Sequence, residues 1–268
     1  MDQDRAAVPS WAWCAVLVLG LVLFELLRRT LIATRNPHLV PALLFVGAAV
    51  VPTTFVVFVY GRRLAFDVSG GVLSAVAGAG GVVGVVVAGT LEYDTLRHLD
   101  SFSVLGVAVI EEAAKLLVPA LVLLLVRSYC VPADGLLLGV ASGAGFAVLE
   151  TMGYAFVALI TSKGDVSTVD GVLVLRGVFS PAAHMAWTGL TCAALAAAVA
   201  AHWSRAATVR FLAMVVVAVA LHAAWDGIGT IPAYVVLSVI SLGLLGAVTQ
   251  RLRGSQASPP TTSSLAVR

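Results

Sequence analysis

Seven titratable residues lie inside stretches otherwise apolar enough for a bilayer: Glu111, Glu112 and Lys115 in Glu-Glu-Ala-Ala-Lys, Glu150 in Phe-Ala-Val-Leu-Glu, a lone His184, and His222 with Asp226 in His-Ala-Ala-Trp-Asp. A charged side chain at the bilayer centre costs roughly 2.5–3.5 kcal/mol on insertion scales. Keeping them on four separate segments makes sense if they act together. Their spacing is helical. Lys115 stands i+4 from Glu111 and i+3 from Glu112, so it can neutralise either carboxylate. His222 and Asp226 are i,i+4, so the acid can orient the imidazole and fix its tautomer. Gly135, Gly139, Gly143, Phe146 and Glu150 share one helical stripe, which turns Glu150 toward a closely packed interior.

Fully ionised, Glu111, Glu112, Glu150 and Asp226 face a single cation, Lys115. Two arrangements relieve that excess. Some carboxyls keep their protons, which leaves a carboxylate base beside neutral donors, able to activate water and stabilise an oxyanion. Alternatively a divalent cation such as Zn2+ joins them, with Glu111, Glu150, His184 and His222 as candidate ligands and one position open. Both lead to hydrolysis within the membrane. The same residue types also build the relays of proton- or cation-coupled transporters. Transporters commonly show internal repeats, and the two halves of this chain show none.

The elements that position these residues follow from hydropathy. The chain has 268 residues, 60% hydrophobic and 11% charged, with a mean hydropathy of +1.03; soluble domains carry about 25% charged residues. A net charge of +2 gives no basis for nucleic-acid binding, so the expected partners are the lipid bilayer and other membrane proteins. Cys14, Cys130 and Cys192 are scattered and read as small hydrophobes. Since about 20 apolar residues cross the hydrocarbon core, eight spans are expected: 11–27, 39–60, 70–90, 102–126, 135–160, 172–200, 209–228 and 231–249. The fold class is therefore all-α, a polytopic transmembrane helical bundle. The sixth span contains Arg176 and Pro181 and should kink at the proline.

Asp2, Asp4 and Arg5 near the start, with no small-residue cleavage site after the first apolar run, do not read as a cleavable signal. Alternate loops divide Lys and Arg nine to five: Arg5, Arg62, Arg63, Arg127, Arg205, Arg210, Arg251, Arg253 and Arg268 against Arg28, Arg29, Arg35, Arg97 and Lys163. That bias puts both termini in the cytoplasm. Glu92, Asp94, Asp100, Asp165 and Asp170 then fall on the outer side. Counting at about 1.5 Å per residue, the polar clusters lie roughly 10–18 Å below the outer face, in one layer. Trp11, Trp13 and Trp203 fit an interfacial belt, while Trp187 and Trp225 flank the histidine clusters. Glu25 and Arg176 are read as span-end residues that snorkel, outside the site. Gly80 to Gly84 reads as packing.

In order, Glu-Glu-x-x-Lys, then Phe-x-x-x-Glu on a Gly-rich helix, then a His followed by Trp-Thr-Gly, then His-x-x-Trp-Asp resembles the PrsW family of intramembrane proteases, distant relatives of the CAAX prenyl proteases. The resemblance spans about residues 108–229 and includes Asp134-Gly135 and Tyr154. It implies a peptide-bond hydrolase acting on membrane-protein substrates, of glutamate or zinc type. Glu111 would be the water-activating base, its charge state set by Glu112 and Lys115. Glu150 would complete the water- or metal-binding set. His184 and His222 would polarise the scissile carbonyl or bind metal, with Asp226 orienting His222. Thr151 departs from the family's frequent Asn. The expected organisation is a three-span region at 1–101, a four-span catalytic core at 102–230, a last span at 231–253 and a disordered cytoplasmic tail at 254–268. The Arg-rich, Ala-, Val- and Gly-rich composition points to the cell membrane of a bacterium.

Overall fold

Long Val-, Leu- and Ala-rich runs separated by Gly, Pro and short polar breaks form helices in the computed structural model, which describes residues 8–62, 64–98, 104–126 and 128–257. They are α1 (Ala12–Thr34), α2 (Val40–Tyr60), α3 (Gly70–His98), α4 (Val104–Leu125), α5 (Pro132–Thr161), α6 (Val166–Phe179), α7 (Ala186–Ala200), α8 (Arg205–Ile228) and α9 (Ile231–Ala257). A π turn, Pro181–Met185, joins α6 to α7, so Val166–Ala200 forms one long span with a kink inside it. Among the described residues six helical segments are long and apolar enough to cross a membrane, two fewer than the eight spans expected. The two that fall short are α1, which carries Glu25, Arg28 and Arg29, and α4, which carries Glu111, Glu112 and Lys115. Leu19, Val86, Val216 and Val239 stand exposed on the outer faces, as they must where lipid is the solvent.

At the centre lies α5, packed most extensively against α3 and α7 and also against α2, α4 and α6. Its first half is buried on every side. Small residues make this possible. A Cβ on Gly135, Gly139 or Gly143 would strike the backbone carbonyls of Cys192, Thr188 or His184, and one on Gly145 would strike Ala77. Backbones that approach this closely gain dispersion contacts, which drive helix association in lipid. Gly143→Ala is therefore expected to lower the thermal midpoint in detergent and reduce activity, because the new methyl pushes on the carbonyl of His184. Gly153→Ala, where a Cβ meets open space, is the neutral control.

The start of α5 is tied to the α2–α3 connection through Asp134. This buried carboxylate accepts the backbone N–H groups of Asp67 (2.6 Å), Val68 (3.2 Å) and Val131 (3.3 Å). At α6, Asp165 caps the helix by accepting from Ser167 N and Thr168 N. Hydrogen bonds from the Thr168 hydroxyl and from these two backbone groups hold the exposed Asp165 carboxyl below its usual range.

Four helix ends lie well away from expectation, and two of them matter for the site. Helix α1 continues to Thr34, past 27, so Arg28 and Arg29 belong to the helix and not to a loop. The sixth span begins at Val166, not 172, so Arg176 lies deep within it. Helix α3 continues to His98, past 90, so Glu92 belongs to the helix and not to an outer loop. Helix α9 continues to Ala257, beyond 249, into the stretch expected to be a tail. Residues 258–268, Asp2, Asp4, Arg5, Arg63, Asp100, Arg127 and the side chain of Arg97 lie outside the described residues. The proline kink is present. Pro181 has no N–H for the helix ladder; Met185 N reaches back to Ser180 O (3.4 Å), and Ala183 leaves helical geometry at φ −98, ψ −107.

Candidate active site

On α4, Lys115 is fully buried and faces both of its acids, with Nζ 2.6 Å from Glu112 Oε1 and 3.5 Å from Glu111 Oε2. It also reaches Nδ1 of His184 at 3.0 Å and lies 4.7 Å from the centre of the Phe146 ring. The Lys115 carbonyl accepts the Ser142 hydroxyl (2.7 Å), which locks this turn of α4 onto α5. An ammonium group only donates. His184 Nδ1 must therefore accept, and the proton of a neutral ring sits on Nε2.

From α8, His222 stands across the same acids. Its Nδ1 is 2.8 Å from Glu112 Oε1, and its Nε2 faces Glu111 Oε2 at 3.5 Å and Asp226 Oδ2 at 3.3 Å. Trp187 stacks on the imidazole, with centroids 5.2 Å apart, and its indole N–H donates to Ser241 on α9 (2.9 Å). The last helix, read in sequence as outside the core, thus supports the aromatic wall of the site. Asp226 is the most exposed member, with 39% of its side chain accessible, and marks where the cluster opens.

The π turn aims His184 at α5, with Nε2 3.0 Å from Glu150 Oε2. Arg176 of α6 approaches the same oxygen, its guanidinium 2.5 Å from Glu150 Oε2. Arg176 Nε donates to Thr151 Oγ1 (3.3 Å), and the guanidinium rests 4.0 Å above the Tyr154 ring. All seven sequence-selected residues are therefore joined by contacts of 2.6–3.5 Å, running Asp226, His222, Glu112, Lys115, His184, Glu150, with Glu111 beside Lys115 and His222.

Two residues were missed. Arg176, set aside as a snorkelling residue, is a partner of Glu150, and it lines a cavity of about 90 Å³ together with Phe179, Ser180, His184, Trp225 and Tyr234. Glu92 is half-buried; its Oε1 is enclosed with no hydrogen-bond partner among the described residues, within electrostatic reach of Glu150, His222, Asp226 and Lys115. Placing the starts and ends of α6 and α3 correctly would have revealed both, since each then lies well inside a helix.

The donor types suit zinc, but their arrangement does not. Both nitrogens of His184 are occupied by Lys115 and Glu150, and Nδ1 of His222 by Glu112. Among the described residues no three His, Cys, Asp or Glu side chains converge on a point that would hold a metal ion. In this arrangement Lys115 and Arg176 supply the positive charge that a cation would bring.

The fold and site together describe a helical bundle with membrane-spanning segments that buries linked carboxylates, an imidazole and a lysine. The profile of the PrsW family intramembrane metalloprotease matches residues 36–249, and the chain belongs to that family. The match runs from α2 through most of α9, wider than the stretch carrying the motifs. No curated protein and no solved structure shows a significant match.

Proposed function

We propose that this intramembrane protease hydrolyses a peptide bond within or beside a transmembrane helix of another membrane protein, with Glu111 as the base. The observation that carries this is the unequal hold on the acids. Glu112 is gripped at 2.6 and 2.8 Å and Glu150 at 2.5 and 3.0 Å, whereas Glu111 meets Lys115 and His222 only at 3.5 Å. Among these three carboxylates, the less tightly paired one is free to take a proton from water. Water oxygen attacks the scissile carbonyl carbon as its proton passes to Glu111. His222, doubly protonated with Nδ1–H given to Glu112 and Asp226 beside the ring, offers Nε2–H to the developing oxyanion. The C–N bond then breaks, and Glu111 returns the proton to the leaving amine. Helices α4 to α8 form the catalytic core in this reading, which opens toward the outer half of a bacterial cell membrane with both termini in the cytoplasm. Because helical carbonyls are already hydrogen-bonded, substrates are expected to carry helix-breaking residues at the cleavage site.

Reconstitution in liposomes with a single-span reporter carrying Gly or Pro near its scissile bond tests the reading, with products mapped by mass spectrometry. Cleavage at that position supports it; proton or cation flux with no cleavage would replace it with a transporter. Chelation separates the two protease chemistries. Since no three acid or imidazole side chains among the described residues converge to hold a metal ion, protein dialysed against chelator is expected to cleave at the undialysed rate. Stoichiometric zinc lost in Glu150→Gln and His222→Ala, together with chelator-sensitive cleavage, would establish the metal mechanism instead.

A further inference from the structure

We propose that Arg176 is a positioning residue: its guanidinium fixes the Glu150 carboxylate, and Glu150 in turn fixes the ring of His184. The inference rests on the protease reading above, in which His184 belongs to the site. Three consecutive contacts carry it: Arg176 to Glu150 at 2.5 Å, Glu150 to His184 Nε2 at 3.0 Å, and His184 Nδ1 to Lys115 at 3.0 Å. The lysine can only donate, so the ring proton sits on Nε2, the nitrogen that faces Glu150 Oε2, and a carboxylate fixed there keeps the ring in that tautomer. Arg176 does the holding.

The seat of the arginine is built by α5 itself. Glu150, Thr151 and Tyr154 occupy positions i, i+1 and i+4, and supply an anion, a hydroxyl acceptor and an aromatic face to one guanidinium. A planar fork with several donors above a ring is an arrangement that lysine cannot reproduce. This also gives Thr151 a use: its hydroxyl receives the Nε proton, the service an amide oxygen at that position would perform. The guanidinium and His184 both border a small cavity, so the two partners of the held carboxylate lie at the edge of space that water can enter.

A merely structural role would make Arg176 a staple between α5 and α6, costing stability and nothing specific to catalysis. The test is a double-mutant cycle on cleavage in liposomes, with kcat and KM separated and thermal midpoints measured in parallel. Arg176→Gln is expected to lower kcat by about 10²-fold with KM little changed, and Glu150→Gln to do the same. The double variant should be no slower than Glu150→Gln alone, because the arginine acts only through that carboxylate. Arg176→Lys should recover part of the loss by keeping the charge. Multiplying losses in the double variant, a wild-type kcat in Arg176→Gln, or losses that track the thermal midpoint alone would each overturn the proposal. Glu111→Gln is run alongside. If it is inactive while Arg176→Gln cleaves normally, only the positioning role falls. If Glu111→Gln itself cleaves normally, the protease reading falls and this inference with it.

Discussion

Glu111→Gln is expected to reduce cleavage in liposomes by about 10³-fold or more while the protein keeps its fold. The substitution is isosteric and removes only the ability to accept a proton, a function worth about 10²–10⁴-fold in general-base catalysis. Glu111 is buried yet meets its cations only at 3.5 Å, so removing its charge sacrifices little attraction and relieves a desolvated anion. The thermal midpoint should therefore hold steady or rise as activity disappears. That opposition separates a catalytic acid from a structural one. Measuring kcat and the midpoint on one preparation checks it, and a variant that cleaves at the wild-type rate would remove Glu111 from the role of base.

Lys115→Met should do the reverse and damage the fold first. The ammonium has no exposed surface and contacts Glu112, Glu111 and His184. Removing one partner of a buried pair leaves the other charged and unpaired, a cost of roughly 3–5 kcal/mol. A change of that size lowers the thermal midpoint sharply and takes cleavage with it. Pairing Lys115→Met with Glu112→Gln should restore much of the stability, since the stranded anion is then gone, but not the activity. Titrated unfolding of the single and double variants checks the coupling. A double variant as unstable as Lys115→Met alone would show that Glu112 is not the charge the lysine compensates.

What the sequence revealed and what it concealed have a common physical origin. The i,i+3 and i,i+4 spacings are local, so the pairing of Lys115 with its acids and of His222 with Asp226 could be read from spacing alone. The Gly135–Gly139–Gly143 stripe correctly marked α5 as the helix approached most closely by its neighbours. Hydropathy marks where a helix is apolar, not where it stops. Polar residues at the ends of α3 and α6 lowered the local signal, and Glu92 and Arg176 were read as boundary residues in consequence. Contacts between helices were equally out of reach: nothing in spacing indicates that His222 meets Glu112, 110 residues away, at 2.8 Å. The kink at Pro181 could be anticipated from the missing N–H, but its π geometry, which turns His184 to Glu150, could not.

The charge content of α4 has a consequence for how the chain is made. Glu111, Glu112 and Lys115 burden an otherwise apolar helix with three ionisable groups, and a charged residue near the centre of a span opposes translocon insertion by about 2.5–3.5 kcal/mol. Its partners come later in synthesis: Ser142 on α5, His184 after α6, and His222 on α8. Helix α4 thus enters the membrane before most of the partners of its charged residues are made, with α3 already present to pack against it. The residues that make the enzyme reactive also make it a client of its own downstream helices during biogenesis, and the active site is complete only when α8 has arrived.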